Sequence, residues 1–327
     1  MYCLAFAKWN GYSPAYGIPE LREAIANNEQ NKLNGGWDCD PNDVYVCHGV
    51  TEALQIIFAT FLNEGDEVLA PGPHYPPYMA YPHLFGGKTV EYRLDPNNAW
   101  KIDFDDLESK MNENVKLLVL INPNNPTGTY LNRNEMLELR KRLRSDILLV
   151  VDDAYCEFIE DPNFASGIEL FSKSKNVLIT RTFSKVYGLA GLRIGWGYSS
   201  KAIIQKLYEI KPPFNVSRPA LFAATQAVQD TSWLNKAVKH NNYWSEKIFD
   251  VIDEIGIATN KTNVNFFLLN FDFVDKSSSQ VCNRLANAGI LVRQMHVYSI
   301  QNSLRVTIGN NYENKKLITT LRKIFNV

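Results

Sequence analysis

The chain has 327 residues, of which 45% are hydrophobic and 21% charged. This is an ordinary composition for a soluble globular protein, and the length is enough for one large domain and a smaller one. Its 34 Lys and Arg residues balance 35 Asp and Glu residues, so no basic surplus indicates a nucleic-acid groove or an anionic membrane surface. The five cysteines form no CxxC pair, and no apolar run is long enough to span a bilayer. These features support neither a metal site nor a disulfide framework, and they favour a cytoplasmic protein.

The segment 43–198 alternates short apolar and β-branched runs with helical patterns, the latter at 51–62 and 134–143. Strands that are apolar along their whole length and separated by helices are typical of a mainly parallel sheet covered on both faces. We therefore predict an α/β fold. The predicted strands are 44–47, 67–70, 89–92, 116–121, 147–151, 176–180 and 192–196.

The pattern changes after residue 198. Helical patterns at 201–210 and 220–253 are separated by Pro212 and Pro213, and a strand–helix–strand–strand–helix order follows from 265 to 325. We therefore predict a large domain over 1–230 and a small α+β domain over 231–327. A ligand is expected in a pocket between the two domains.

The first candidate site is a junction where a predicted strand passes through Gly49 directly into a helix. Free backbone N–H groups and the helix dipole favour an anion at a helix start. The backbone of Val50 and Thr51 is therefore a candidate phosphate ligand. The alternative is an ordinary capped helix, which is the commoner meaning of a Gly-Thr start.

Two polar side chains follow the next predicted strands at the same edge of the sheet. Asn125 lies between Pro123 and Pro126, and these prolines either hold its amide as a fixed hydrogen-bond donor or only stiffen a loop. Asp152 ends the apolar run 147–151. A buried carboxylate there needs a cationic partner, such as a pyridinium ring, unless the strand end is solvated.

A glycine-rich turn after the strand 176–180 carries Lys185 beside two hydroxyl groups. Most lysines are solvated surface charges, but desolvation at the end of an apolar strand lowers the pKa of a lysine and makes its amine a nucleophile toward a carbonyl. Thr182, Ser184 and Arg193 supply donors for a phosphate dianion. The neighbouring glycines do not form the G-x-G-x-x-G dinucleotide pattern.

Together these segments resemble the fold-type I aminotransferases, which depend on pyridoxal phosphate (PLP). The resemblance runs from Tyr12 to the C-terminus, and its most specific motifs are Ser-Lys-x-x-Gly-x-x-Gly-x-Arg at 184–193 and Asn-Pro-Thr-Gly at 125–128. It implies a large PLP-binding domain with a mainly parallel, helix-covered sheet and a small C-terminal α+β domain. It also implies that Lys185 holds PLP as a Schiff base.

The roles implied by the resemblance concern first the cofactor. Lys185 moves a proton between the substrate Cα and cofactor C4′, and Asp152 pairs with the pyridinium nitrogen, which keeps the ring an electron sink. Asn125 and Tyr155 hydrogen-bond the phenolic oxygen. Tyr75 matches an aromatic residue that stacks on the ring, although it is otherwise an ordinary loop aromatic. The implied phosphate ligands are the backbone at Val50 and Thr51 and the side chains of Thr182, Ser184 and Arg193.

The resemblance also implies substrate ligands and a partner. Arg305 matches the arginine that clamps the acidic group of the substrate, and the guanidinium fork suits a carboxylate or a phosphate. Asn125 is a further candidate substrate ligand. Arg293 matches a second arginine at the substrate phosphate in the histidinol-phosphate branch. Tyr12 matches a tyrosine that reaches the cofactor phosphate of the neighbouring subunit. A homodimer with shared active sites is therefore expected, with the arm 1–30 at its interface.

The two halves of the chain resemble different branches of the family. The segments 181–193, 211–217 and 289–293 are similar to the histidinol-phosphate branch, and 16–22 and 73–78 to the alanine and aspartate branch. The expected function is a transaminase of histidine biosynthesis that uses glutamate or 2-oxoglutarate with histidinol phosphate or imidazole-acetol phosphate. Alternatives are an aromatic, alanine or aspartate aminotransferase, a threonine-phosphate-type PLP decarboxylase, and a non-catalytic protein that keeps the PLP fold.

Overall fold

A computed structural model describes residues 11–33 and 39–327 of the chain. The part of the predicted arm 1–30 that precedes residue 11 therefore lies outside the described residues. The strands are β1 Val44–Cys47, β2 Glu67–Gly72, β3 Lys88–Asp95, β4 Lys101–Ile102, β5 Val115–Ile121, β6 Leu148–Asp152, β7 Val177–Thr182, β8 Gly195–Tyr198, β9 Ala258–Thr259, β10 Phe266–Asn270, β11 Arg293–Gln294 and β12 Ser303–Thr307. The helices are α1 Pro19–Lys32, α2 Gly49–Phe61, α3 Pro77–Ala80, α4 Phe104–Ser109, α5 Arg133–Arg142, α6 Gly167–Phe171, α7 Lys201–Ile210, α8 Arg218–Gln229, α9 Thr231–Ile255, α10 Ser278–Asn287 and α11 Asn311–Phe325.

The large sheet has eight strands in the order β1-β8-β7-β6-β5-β2-β3-β4. The run β7-β6-β5-β2-β3 is parallel, whereas β8 is antiparallel to both of its neighbours and β4 is antiparallel to β3. Strand β8 runs back beside β7 because the connection 183–194 contains a short 3-10 turn and no crossover helix. The predicted mainly parallel, helix-covered α/β sheet is confirmed.

Apolar side chains cover both faces of this sheet, because successive residues of a strand point to opposite sides. In β5, Leu118 and Leu120 join one hydrophobic cluster, whereas Leu117 and Val119 join another. The first cluster includes side chains of α1, α5 and α8, and the second includes side chains of α2 and α7. The central strands are therefore buried between two layers of helices, which leaves their ends as the positions for polar groups.

Two elements differ from the sequence prediction. The strand predicted at 192–196 begins at Gly195, because the preceding residues form a 3-10 turn and Arg193 has a φ of +50°, which is outside the β region. The helix predicted at 220–253 is two helices, α8 and α9, interrupted at Asp230, whose side chain accepts the N–H of Trp233 at 2.8 Å and caps α9. The proposed domain boundary falls at this interruption and stays a prediction.

The last third of the chain contains a second, smaller sheet. Its order is β11-β12-β10-β9, and every pair is antiparallel. Its apolar side chains form a separate cluster with those of α9, α10 and α11, which confirms the predicted small α+β unit. Among the helices described, none combines the length and the apolar character needed to cross a membrane.

Candidate active site

The carboxyl ends of three neighbouring parallel strands meet at one edge of the large sheet. Ile121, the last residue of β5, pairs with Asp152 at the end of β6, and Asp152 pairs with Thr180 near the end of β7. The turns that follow these strands therefore lie side by side, as ligand sites in open α/β sheets do. A cavity opens at this edge, lined by Val50, Thr51, Tyr75, Ile121, Asn125, Asp152, Ala154, Tyr155, Thr182, Ser184, Lys185 and Arg193.

Arg193 lines the cavity and lies directly against Gly49. Gly49 has a φ of +72°, and a Cβ added there would lie 2.7 Å from Nη2 of Arg193. Arg193 Nη1 donates to Ser184 Oγ at 3.3 Å and to the carbonyl of Ala190 at 3.0 Å. The guanidinium group is thereby held against the first turn of α2. Arginine, hydroxyl groups and free helix N–H groups in one place form a donor set that fits a phosphate dianion.

Asp152 lines the same cavity and is only 5% exposed, so the alternative of a solvated strand end is wrong. Its Oδ1 accepts the N–H of Ala154 at 3.2 Å and the hydroxyl of Thr180 at 3.4 Å. Burial raises the pKa of Asp152, against the lowering effects of its hydrogen bonds and of the positive charge on Lys185. A buried carboxylate in this position fits a cationic ring nitrogen as its partner.

Lys185 lines the same cavity. Its Nζ lies 4.9 Å from the centroid of the Tyr155 ring, and its carbonyl accepts the N–H of Gly188 at 3.0 Å, which closes the turn. Tyr155 is buried and contacts the edge of Phe266 with ring centroids 5.2 Å apart. The amine therefore shares one cavity with the candidate phosphate donors and with Asp152, whose pKa its positive charge lowers.

Two arginines of the small sheet were predicted to bind substrate. Arg305 Nη1 donates to Oδ1 of Asn125, so this side chain reaches the edge of the large sheet, and its buried Nε has no hydrogen-bond partner. Arg293 is the direct cross-strand neighbour of Arg305 and lies 5.4 Å from the Tyr298 ring. Arg305 is thus brought to the site through Asn125, whereas Arg293 is exposed beside it and does not line the cavity.

Tyr12 does not line this cavity within one chain. Its ring is 83% exposed and packs on Phe214 with centroids 4.9 Å apart. Phe214 has a φ of +60°, an uncommon conformation for an aromatic residue. An exposed tyrosine held in one orientation can reach a second molecule, and its own cavity does not contain it.

Sequence reasoning missed one residue of the site. The hydroxyl of Tyr78, in α3, donates to Oδ2 of Asp152 at 2.6 Å, and Tyr78 is fully buried. No signal in the sequence singled it out, because the aromatic residues of this turn do not show which hydroxyl points inward. Among the described residues, no group of three His, Cys, Asp or Glu side chains could hold a metal ion.

The model of the family described as aminotransferase class I and II matches residues 3–321. The chain belongs to this family. It is 39% identical over 310 residues to a histidinol-phosphate aminotransferase of Pelagibacter ubique strain HTCC1062, which covers 94% of this chain and 85% of the relative. It is 34% identical to one of Maricaulis maris strain MCS10, over 94% of this chain and 82% of the relative.

A solved structure with a similar fold is that of an Escherichia coli protein whose structure identified a methionine aminotransferase function. It has a TM-score of 0.88 and 20% identity, and the match covers 97% of this chain and 86% of that chain. The fold is therefore that of the fold-type I aminotransferases. Enzymes of the family depend on PLP, so this enzyme is a PLP-dependent transaminase. The amine, the carboxylate and the phosphate donors around the cavity fit that cofactor.

Proposed function

We propose that this transaminase exchanges an amino group between glutamate or 2-oxoglutarate and the pair histidinol phosphate and imidazole-acetol phosphate. The names of its relatives support this substrate. The observation within the chain that carries the proposal is the position of Arg293 directly opposite Arg305. Like charges directly opposite each other destabilise a sheet, so this pair is best explained as a site for an anionic group such as a phosphate, which guanidinium groups bind through charged hydrogen bonds.

The cofactor phosphate is held at the start of α2. The backbone N–H groups of Val50 and Thr51 would bind it together with the hydroxyls of Thr182 and Ser184 and the guanidinium group of Arg193, all of which line one cavity. Support comes from the contact between Arg193 and Ser184 and from the space left by Gly49. A phosphate bound here would anchor one end of the cofactor, and Tyr75, which lines the same cavity, would stack on its ring.

Lys185 and Asp152 carry the proton chemistry. Bound PLP supplies an electron sink for the negative charge that develops at the substrate Cα when its proton leaves. Lys185 accepts that proton and delivers it to the cofactor C4′, and the adjacent Tyr155 ring limits where its amine can move. Asp152 keeps a proton at the ring nitrogen, since an ionised carboxylate stabilises a cation buried next to it.

Asn125, Tyr155 and Arg305 orient the reactants around this centre. Asn125 and Tyr155 hydrogen-bond the phenolic oxygen of the cofactor. Arg305 binds the substrate, and its contact with the Asn125 oxygen leaves the amide N–H₂ free to donate. Substrate recognition is thereby connected to the group that holds the ring.

We also propose that the enzyme is a homodimer in which Tyr12 reaches the cofactor phosphate of the partner. The exposed Tyr12 ring packed on Phe214 supports this. The following residues are fixed to the large domain, because Lys211 Nζ donates to the carbonyl of Ala15 at 2.6 Å and the Tyr208 hydroxyl donates to that of Tyr16 at 3.3 Å. We place the enzyme in the cytoplasm, where free thiols such as Cys47 stay reduced.

The substrate proposal is tested by comparing histidinol phosphate with histidinol as amino donors to 2-oxoglutarate. We expect a preference for the phosphorylated donor of at least about 100-fold in kcat/KM, because the arginine pair contributes roughly 3 kcal/mol only when the phosphate is present. In Arg293→Ala the KM for histidinol phosphate should rise on the order of tenfold or more, with little change for histidinol. Arg322→Ala, which removes an exposed arginine of α11, is the matched control.

Other outcomes contradict the proposal in distinct ways. Faster turnover of aspartate, alanine or an aromatic amino acid than of histidinol phosphate would assign the enzyme to another branch of the family. Release of carbon dioxide from an amino acid with formation of the corresponding amine, and without transfer of the amino group to a 2-oxo acid, would indicate a decarboxylase. Equal losses for both donors in Arg293→Ala would show that this arginine does not recognise the phosphate.

A further inference from the structure

Tyr78 makes the shortest hydrogen bond to Asp152. Its hydroxyl lies 2.6 Å from Oδ2, whereas the two donors to Oδ1, Ala154 and Thr180, lie at 3.2 and 3.4 Å. An O–H···O contact of this length is typical of a hydrogen bond to an ionised acceptor. Tyr78 is therefore the main fixed support of one carboxylate oxygen, and the described structure assigns no other donor to that oxygen.

The backbone of Tyr78 is fixed as well. Thr89 Oγ1 in β3 donates to its carbonyl at 2.7 Å, and its ring meets those of Tyr75 and His74 edge-on at 6.3 and 6.4 Å. Tyr78 is fully buried. The hydroxyl consequently has little freedom to leave Asp152, which distinguishes it from a mobile surface donor.

Asp152 needs such a donor because burial works against its charge. Desolvation raises its pKa, and the hydrogen bond from Tyr78 is the largest effect that lowers it, ahead of the N–H of Ala154 and the charge of Lys185. The adjacent Asp153 is fully buried. As a carboxyl group, it supplies no positive charge that would stabilise ionised Asp152. Loss of the Tyr78 hydroxyl would leave a buried oxygen without a partner, a situation that favours the protonated carboxyl group.

We propose that Tyr78 is a positioning residue that keeps Asp152 ionised and directs it at the ring nitrogen of the cofactor. This inference rests on the proposed role of Asp152. The N–H of Tyr78 donates to the carbonyl of Tyr75 at 3.0 Å, so the segment 75–78 would position both the face of the ring and the partner of its nitrogen. Because Tyr78 acts on the cofactor through Asp152, its effect depends on a basic nitrogen in the cofactor ring.

The test compares the affinity of the apoenzyme for PLP and for its 1-deaza analogue, in which carbon replaces the ring nitrogen. Tyr78→Phe keeps the aromatic ring and removes only the hydroxyl. We expect its dissociation constant for PLP to rise about tenfold, which corresponds to one hydrogen bond to a charged group, and that for the deaza analogue to change by less than about twofold. Binding is followed by quenching of protein fluorescence, which does not depend on turnover.

Tyr92→Phe is the matched control. Tyr92 is also fully buried, but its hydroxyl donates to the backbone carbonyl of Val119 at 2.9 Å. Its removal should leave the ratio of the two dissociation constants at the wild-type value. If Tyr78→Phe does not fold, Thr89→Val is used instead, since it removes the hydrogen bond that fixes Tyr78 and should shift the ratio in the same direction.

Asp152→Ala tests the proposed role of Asp152 separately from the inferred role of Tyr78. If it abolishes the preference for PLP over the deaza analogue while the Tyr78 and Thr89 variants keep the wild-type ratio, Asp152 has its proposed role and Tyr78 does not. If Tyr78→Phe raised the dissociation constants of both ligands equally, Tyr78 would contribute only packing, and the inference would be overturned. An unchanged ratio in Asp152→Ala would remove the proposed role of Asp152 itself.

Discussion

At the scale of single residues, the chain places several carboxylates around one buried arginine. Arg181 contacts Glu29 at 3.4 Å, Asp153 at 3.4 Å and Glu157 at 3.0 Å, and all four side chains are nearly inaccessible to solvent. One guanidinium group cannot balance three buried negative charges. The pKa of Glu29 stays lowered, because Arg181 and Lys32 act together on it despite burial. Burial raises the pKa of Asp153 to about 7, with further increases from Glu157 and Asp152.

This difference predicts a stability effect of Asp153→Asn that depends on pH. Asp153 has a folded-state pKa of about 7 against an ordinary value of 3.8, so the folded state holds a proton that the unfolded state has lost. Stability from this group therefore falls as the pH rises toward 7 and is constant above it. Between pH 5.5 and pH 8 the variant should gain about 2 kcal/mol relative to the wild type, measured by urea unfolding of the apoenzyme.

The control for this prediction is Asp105→Asn, which changes an exposed carboxylate in α4. Its stability should follow the wild type at both pH values. Asparagine keeps an oxygen that can accept the N–H of Gly167, now bonded to Asp153 Oδ2 at 2.7 Å. Parallel stability curves for Asp153→Asn and the wild type would show that Asp153 is ionised in the folded protein at pH 5.5.

At the scale of secondary structure, the junction between β1 and α2 decides whether a phosphate can enter. Three features meet there: the left-handed backbone of Gly49, the first turn of α2 and the side chain of Arg193. A side chain at position 49 would displace the guanidinium group. The junction therefore needs glycine both for its backbone conformation and for the space that the glycine leaves.

Gly49→Ala should weaken PLP binding through this displacement. A Cβ would lie 2.7 Å from Arg193 Nη2, so the guanidinium group must move from its place. We expect the dissociation constant for PLP to rise at least about tenfold, since one charged hydrogen bond is worth roughly 1.5–3 kcal/mol. Absorbance titration of the apoenzyme with PLP measures this change.

Gly65→Ala is the control for this substitution. Gly65 has a φ of +87° and nothing within 4 Å of an added Cβ, so it carries the backbone strain without the clash. It should cost about 1–2 kcal/mol of stability and leave the PLP affinity unchanged. Equal losses of affinity in the two variants would mean that backbone strain alone explains the effect at Gly49.

At the scale of the whole molecule, the site depends on parts that are distant along the chain. Arg305 of the small sheet reaches Asn125 of the large domain, and the proposed dimer adds Tyr12 from the other subunit. Each chain then contributes to two cavities. In such a dimer, a substitution in one chain can inactivate a cavity, and a chain that carries the intact residue can restore it.

Subunit mixing tests this arrangement. Lys185→Ala lacks the reactive amine and Tyr12→Ala lacks the phosphate contact offered to the partner, so each homodimer should have low activity. In a mixed dimer one cavity combines Lys185 of one chain with Tyr12 of the other and is intact. Random reassociation of equal amounts should restore about one quarter of wild-type activity, since half of the dimers are mixed and each has one intact cavity.

The control mixes Lys185→Ala with the Tyr12→Ala/Lys185→Ala double variant, which cannot form an intact cavity in any combination. No recovery is expected there. Absence of recovery in the first mixture, with dimers demonstrated by sedimentation, would mean that Tyr12 does not act across the interface. A monomer at micromolar concentration would remove the dimer proposal as well.

The sequence by itself determined the fold class, the family and most of the residues around the cavity. Lys185, Asp152 and Asn125 follow apolar runs that only buried strands explain, and parallel strands bring their carboxyl ends to one edge. Local pattern was sufficient there because the information lies within a few residues of each strand end. The roles of these residues nevertheless stay predictions until the variants are measured.

Only the tertiary structure decided how distant segments meet. Periodicity does not record strand direction, so the antiparallel course of β8 was not predictable from its residues. Nor does an aromatic-rich turn reveal which hydroxyl points inward, which is why Tyr78 was found only through its contact with Asp152. The contact of Arg305 with Asn125 joins residues 180 positions apart. Such contacts depend on the packing of whole elements, because the chain between them imposes no fixed distance.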